Sequence, residues 1–87
     1  MEYEEILEKV IDIVADVFGV DADTLSENST WKEDLKFDLI NSLQSHEFVD
    51  LKTALDDTFE IDCPNMKLGR TKTMGELAAF IMDLTEE

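Results

Sequence analysis

The sequence predicts an all-α domain, a small bundle of three longer helices and one short helix with a long loop between the first and second. Apolar residues recur at helical spacing over residues 3–18 and 39–59, and a third such segment, 74–84, follows a residue suited to start a helix. A polar stretch, 20–35, separates the first two segments. We expect residues 1–87 to form one domain, because a chain of this length holds a single core.

The first helix is predicted from Tyr3 to Phe18, where apolar residues alternate with mainly acidic ones at spacings of three and four. Gly19 follows the last apolar residue, as is typical of a helix end. In the loop that follows, isolated apolar residues are expected to pin the chain to the core, namely Val20, Leu25, Trp31 and Leu35.

The second helix is predicted over residues 39–59, a stretch without Gly or Pro. At about 100° per residue, most of its apolar side chains share one half of the helical wheel and the other half is mainly acidic. Pro64 removes a backbone donor and ends the pattern. Residues 65–72 allow at most a short helix or turn, and Thr73 is predicted to cap the last helix in a capping box with Glu76.

Charge limits the partners that this chain can bind. Its 22 acidic and 7 basic residues give a formal net charge of -15, which repels a nucleic-acid backbone and favours partners with basic patches. No apolar run approaches the roughly 20 residues that span a bilayer, and the N-terminus is acidic where a secretory signal would be basic. We therefore expect a cytoplasmic protein without membrane insertion. We also expect it to act as a monomer.

The sequence predicts no catalytic residue and no metal site. His46 is the only histidine and Cys63 the only cysteine, and nothing pairs them as base and nucleophile. A polar loop opens at Asp21, but Ser26 and Lys32 stand where a calcium-binding EF-hand needs Gly and Glu. Cys63 is predicted to be a small, partly buried apolar residue. Three basic residues close in sequence either offset the acidic charge or form a second contact site: Lys67, Arg70 and Lys72.

Four segments carry a resemblance to a known family. They are Phe18-Gly19-Val20 before Leu25, Glu33-Asp34-Leu35 after an aromatic anchor, residues 49–61, and residues 71–77. In this order they resemble the acyl and peptidyl carrier proteins over nearly the whole chain. The resemblance implies a four-helix bundle that catalyses nothing itself. It also implies that the bundle holds acyl groups as thioesters on a 4′-phosphopantetheine arm, which would be esterified to a serine at the start of the second helix.

Two serines compete for the arm. The family's serine usually lies in an Asp-Ser-Leu triplet four residues beyond the Glu-Asp-Leu leucine, but Leu39 occupies that position here. Ser42 matches the triplet better, in Asn41-Ser42-Leu43, but puts a three-residue insertion inside the helix. Ser45 matches the spacing better, since Phe59 follows fourteen residues later, and puts the insertion before the serine. Loops accept insertions better than packed helices, which favours Ser45 and leaves Ser42 as the alternative.

The resemblance also implies partners. A phosphopantetheinyl transferase would load the arm from coenzyme A, and acyl-transferring or synthase enzymes, in fatty acid, polyketide or related biosynthesis, would dock through basic patches. The predicted contacts are four acidic residues of the second helix, Glu47, Asp50, Asp56 and Asp57. The alternative is that these residues only form a solvent-exposed face of the helix. A second hypothesis is a carrier-like acidic module that binds proteins but bears no arm.

Overall fold

The structure, a computed structural model, describes residues 2–85. Its four helices are α1 (Tyr3–Phe18), α2 (His46–Phe59), α3 (Asn65–Gly69) and α4 (Met74–Thr85), and a 3-10 turn at Ala22–Thr24 lies in the first loop. These residues contain no β-strand, and the predicted all-α bundle is confirmed.

Helix α1 packs against both α2 and α4, and this contact forms the centre of the core. Its bounds agree with the prediction from the apolar spacing. Gly19 ends it with a φ of 69°, a left-handed conformation that glycine adopts without the steric cost of a Cβ. The fully buried side chains of the core come from all four helices and the loop after α2, including Ile6, Phe48, Leu55, Cys63, Leu68 and Ile81.

The second helix begins at His46, not at residue 39 as predicted. Residues 39–45 form successive turns, in which the backbone N–H of Ser42 donates to the Leu39 carbonyl and that of Ser45 donates to the Ser42 carbonyl. The apolar spacing was misleading because these side chains pack against a different partner. A Cβ at Gly69 of α3 would lie 2.7 Å from Leu43 and 3.1 Å from Ile40, so this stretch packs on α3 without being helical.

The long first loop is pinned mainly by Trp31. Its side chain is buried, its backbone N–H donates to the Lys72 carbonyl, and its Nε1–H donates to Thr71 Oγ1 at 3.3 Å. The ring also lies 5.8 Å from the ring of Phe18. Leu25 is buried as expected, whereas the prediction for Val20 is wrong, since that residue is exposed.

The last part of the chain follows the prediction closely. Residues 65–72 contain only the short α3, and α4 begins at Met74. The Glu76 backbone N–H donates to Thr73 Oγ1 at 3.0 Å, so the threonine half of the capping box is confirmed. The Met74 N–H donates to the Ser29 carbonyl, which ties the start of α4 to the first loop.

Candidate functional site

Ser45 occupies the residue immediately before α2. Its Oγ accepts the Phe48 backbone N–H at 3.2 Å, and its hydroxyl donates to the Ser42 carbonyl at 2.7 Å. The first N–H groups of a helix lack partners within the helix, and a serine at this position satisfies one of them. Ser45 is therefore the N-cap of α2 and is half-buried.

Ser42 lies three residues earlier, outside the helix. It is also half-buried, and its carbonyl accepts both the N–H and the hydroxyl of Ser45. The two serines are thus adjacent at the same end of α2. Residues 39–44, the insertion that the Ser45 alignment places before the serine, form turns. The Ser45 alignment therefore puts the insertion in a loop.

The predicted acidic contacts on α2 fall into two groups. Glu47, Asp50 and Asp57 are exposed. His46, whose side chain is 88% exposed, has its Nε2 3.3 Å from Asp50 Oδ2. Asp56, by contrast, is only 21% exposed at its side chain and is already engaged within the protein.

Asp56 links the C-terminal end of α2 to the loop that follows it. One carboxylate oxygen pairs with Lys52, and the other accepts the Cys63 backbone N–H at 2.9 Å. Lys52 also pairs with Asp62 at 3.1 Å. Although burial acts to raise it, the hydrogen bonds from Lys52 and Cys63 hold the pKa of Asp56 below its usual value. The hydrogen bond to Asp56 raises the pKa of Lys52 in turn.

Cys63 is a packed core residue. It is 1% exposed, where the sequence predicted partial burial. Burial, together with a hydrogen bond to Asp56, raises the pKa of its thiol to about 12. Since the thiolate is the reactive form, this thiol is unreactive at neutral pH.

A groove of about 400 Å³ opens beside the turns that precede α2. Its apolar walls come from Trp31, Leu39 and Ile40, and its basic residues are Lys32, Arg70 and Lys72. Of the three basic residues that are close in sequence, Arg70 and Lys72 line the groove together with Lys32. Lys67 does not line it and instead lines a separate depression with Phe80 of α4. Sequence reasoning missed this groove because its walls come from three separate segments, 30–33, 38–40 and 69–72.

The same groove contains a feature that the sequence did not reveal. Asp38 lines it, and Asp38 Oδ1 is buried without a hydrogen-bond partner among residues 2–85. The other carboxylate oxygen accepts from Asn41 Nδ2 at 2.6 Å. The only sequence signal was the three-residue spacing of these two polar residues.

Two further properties concern the described part of the chain alone. None of its helices has both the length and the apolar character needed to cross a bilayer. Nor does it bring together three or more His, Cys, Asp or Glu side chains in a metal-binding arrangement.

Comparison with known proteins identifies the family. The acyl carrier protein of Lactobacillus acidophilus is 33% identical over 81 residues, which cover 93% of this chain and 94% of that protein. The acyl carrier protein of Clostridium acetobutylicum is 33% identical over 82 residues, covering 94% of this chain and 99% of that protein. The chain belongs to the acyl carrier protein family. The predicted resemblance is confirmed over nearly its full length, although no family model matches the chain.

The acyl carrier protein of Lactobacillus johnsonii gives a similar result, with 31% identity over 81 residues that cover 93% of this chain and 94% of that protein. Proteins of this family are carriers, so family membership supports a carrier role. The family relationship also directs attention to the start of α2, where Ser42 and Ser45 lie together.

Proposed function

We propose that this protein carries acyl groups as thioesters on a 4′-phosphopantetheine arm attached to Ser45, and presents them to biosynthetic enzymes in the cytoplasm. The observation that carries the proposal is the position of Ser45 as N-cap of α2 with the inserted residues outside the helix. That arrangement fits the Ser45 spacing without interrupting the helix. If Ser42 carried the arm, the segment from the serine into α2 would contain three more residues than the family's spacing allows.

The start of α2 also suits the charge of such an arm. A phosphodiester on Ser45 Oγ would lie at the N-terminus of a 14-residue helix, where unpaired N–H groups and the helix dipole favour negative charge. The N–H of Phe48, which the hydroxyl oxygen accepts, is one of these groups. The backbone therefore offsets part of the charge that the arm introduces.

The proposed mechanism is carriage without catalysis. A phosphopantetheinyl transferase would transfer the arm from coenzyme A to the serine hydroxyl, and the thiol of the arm would then bear the acyl group. Tethering raises the effective concentration of the acyl group at a docked enzyme. The exposed acids Glu47, Asp50 and Asp57 would contact basic patches on the partner, and such electrostatic contacts favour rapid association and release. Asp56 contributes less, because its carboxylate is engaged with Lys52 and Cys63.

A second candidate is an armless module that binds proteins through its acidic surface. One observation favours it, namely that Leu39 stands where the family's serine usually lies. Both candidates use the same fold and the same charge, so they differ only in whether a serine becomes modified.

Loading with coenzyme A tests the proposal. The purified chain is incubated with coenzyme A and a broad-specificity phosphopantetheinyl transferase, and its intact mass is measured. We expect a gain of one arm in the wild type and in Ser42→Ala, and no gain in Ser45→Asp. Aspartate is chosen over alanine at this position because its carboxylate can still cap α2, while the hydroxyl that would accept the arm is gone. A gain that Ser42→Ala abolishes would move the arm to Ser42, and no gain in the wild type would favour the armless module.

A further inference from the structure

The acidic residues of this chain are unevenly distributed. The chain has 22 of them, yet residues 63–75 contain no Asp or Glu and include three of the seven basic residues. Residues 39–46 are also free of acidic side chains. The fold brings these two segments together, because a Cβ at Gly69 would lie 2.7 Å from Leu43 and 3.1 Å from Ile40. This side of the molecule therefore differs in charge from the acidic surface of α2.

The groove beside this contact carries most of the difference. Three exposed cations line it, namely Lys32, Arg70 and Lys72. None of the three has its side-chain nitrogen within 4.0 Å of a carboxylate oxygen of residues 2–85, although the chain has far more acidic than basic residues. The acids that line the groove are Glu33 and Asp38. The lining is thus net positive in a chain whose formal charge is -15.

Hydrogen bonds fix the backbone that bears these cations. The Trp31 N–H donates to the Lys72 carbonyl at 3.2 Å, which joins the first loop to the segment before α4. The Trp31 Nε1–H donates to Thr71 Oγ1 at 3.3 Å, and the Arg70 N–H donates to the Met66 carbonyl at 3.1 Å. A fixed backbone leaves less conformational entropy to be lost when a partner binds. The groove is therefore suited to recognition.

The size and the walls of the groove favour one kind of occupant. Its volume of about 400 Å³ is typical of a binding pocket, and its apolar walls come from Trp31, Leu39 and Ile40. An inorganic anion has no apolar part to cover these walls. A second copy of this chain would bring a further charge of -15, which opposes association. A short segment that combines an apolar side chain with carboxylates matches both the walls and the cations.

We propose that this groove binds an acidic segment of the enzymes that use the carrier. An apolar side chain of that segment lies between the walls, and its carboxylates pair with Lys32, Arg70 and Lys72. The carrier then has a second docking surface, opposite in charge to the exposed acids of α2. Enzymes that have only a basic patch satisfy one surface and are disfavoured. The inference rests on the proposed carrier function, but a free peptide tests it without an arm.

The test titrates the unmodified chain with a blocked hexapeptide, Asp-Glu-Phe-Leu-Glu-Asp, and two analogues. Asn-Gln-Phe-Leu-Gln-Asn lacks the charges, and Asp-Glu-Ser-Ser-Glu-Asp lacks the apolar side chains. Trp31 is the only tryptophan, so its single indole N–H resonance and the amide of Gly69 locate binding by NMR. The salt concentration is about 0.1 M, because acids more than about 10 Å from the groove are then largely screened.

We expect the first peptide to bind about tenfold more tightly than either analogue. Three exposed ion pairs together are worth about this factor, and so is the burial of an apolar side chain. Inorganic phosphate at the same ionic strength should leave both resonances unchanged.

Two triple variants separate the groove from the total charge. The groove variant replaces its three cations: Lys32→Gln, Arg70→Gln and Lys72→Gln. It should bind the first peptide about tenfold more weakly than the wild type. The matched control replaces three exposed lysines that do not line the groove: Lys9→Gln, Lys36→Gln and Lys67→Gln. It changes the net charge equally and should reduce the affinity by less than about twofold. An unchanged indole resonance without peptide shows that each variant is folded.

Equal binding of the first peptide and the uncharged analogue would overturn the inference, and so would an equal loss in the two triple variants. Phosphate that shifts the same resonances would make the groove a simple anion site. Shifts that grow with the concentration of the chain alone would make a second copy the occupant. Either result contradicts the proposal.

The arm-loading assay is run on the same preparation, so the two proposals can fail independently. A mass gain without selective binding of the acidic peptide contradicts the second docking surface and leaves the carrier function standing. Selective binding without a mass gain contradicts the carrier function and leaves the affinity of the groove for acidic segments standing.

Discussion

The hydroxyl oxygen of Ser45 lies 3.2 Å from the backbone nitrogen of Phe48 and accepts its N–H. The residue proposed to bear the arm is therefore also the residue that caps the helix. Replacing Ser45 by alanine removes two things at once, a site of modification and a capping interaction. The two effects need separate measurements.

We predict that Ser45→Ala lowers the free energy of unfolding by about 1 kcal/mol, the usual cost of losing a helix N-cap. Ser45→Asp should stay close to the wild type, because its carboxylate can accept the same N–H. Ser42→Ala, outside the helix, should change the stability by less than about 0.5 kcal/mol. Urea denaturation of the unmodified chain measures all three. Equal loss in Ser42→Ala and Ser45→Ala would contradict the capping role.

A second prediction concerns Asp56, whose carboxylate joins Lys52 to the backbone of Cys63. We expect Asp56→Asn to lower the free energy of unfolding by about 1–2 kcal/mol at pH 7, because it leaves Lys52 with a weaker partner. Asp57→Asn is the matched control, since Asp57 is adjacent and exposed, and it should have a much smaller effect.

The effect of Asp56 should depend on pH in a defined direction. The pKa of Asp56 is lower in the folded state than the ordinary 3.8. The contribution of Asp56 to the free energy of unfolding is therefore complete above pH 3.8 and is lost as the pH falls through the folded-state pKa. The pKa of Lys52 is raised in the folded state. Its contribution to the free energy of unfolding is therefore complete below pH 10.5 and is lost as the pH rises through the folded-state pKa. A difference between wild type and Asp56→Asn that stays constant down to pH 2 would contradict this assignment.

Cys63 provides a third prediction. Its buried thiol, with a pKa of about 12, should react with a thiol reagent at pH 8 at least about 100-fold more slowly than the thiol of the unfolded chain. Reaction with a chromogenic disulfide, with and without denaturant, measures the ratio. Comparable rates in the two states would show that Cys63 is accessible in the folded protein.

The fourth prediction concerns the exposed acids of α2. A variant with Glu47→Gln, Asp50→Asn and Asp57→Asn should reduce kcat/KM for arm loading by about tenfold at low salt, because complementary charge speeds association. The reduction should shrink as salt is added, since ions screen exposed charges. Steady-state kinetics with the transferase over a range of salt concentrations measures both effects.

The matched control removes the same number of exposed acids from α1, by Glu8→Gln, Asp12→Asn and Asp16→Asn. It changes the net charge equally but leaves α2 intact. If the two variants lose the same activity, total charge and not the α2 surface governs the encounter.

The helices were predictable where local pattern and tertiary packing agree. The apolar spacing from Tyr3 to Phe18 and the Thr73 cap of α4 both identified the correct boundaries. The start of α2 was not predictable in this way, because Ile40 and Leu43 are spaced like a helix face but pack against Gly69 of α3. Only the path of the whole chain reveals that partner.

For the candidate site, the resemblance proposed Ser42 and Ser45 as alternatives, and the fold then revealed which of them caps α2. Sequence pattern could not distinguish Asp56 from Asp57. Asp56 accepts the backbone N–H of Cys63, and the chain brings Cys63 close to α2 only after the left-handed turn at Glu60. The groove at Asp38 was missed for the same reason, because its walls meet only in the folded chain.

The most direct test of the central claim is the mass of the protein purified from its native cell, followed by fragmentation to locate any modification. The carrier account predicts a chain that bears one phosphopantetheine arm, on the fragment that contains Ser45 and on that residue. A chain recovered entirely unmodified from growing cells, under conditions that preserve the arm on another carrier protein of the same cell, would contradict it.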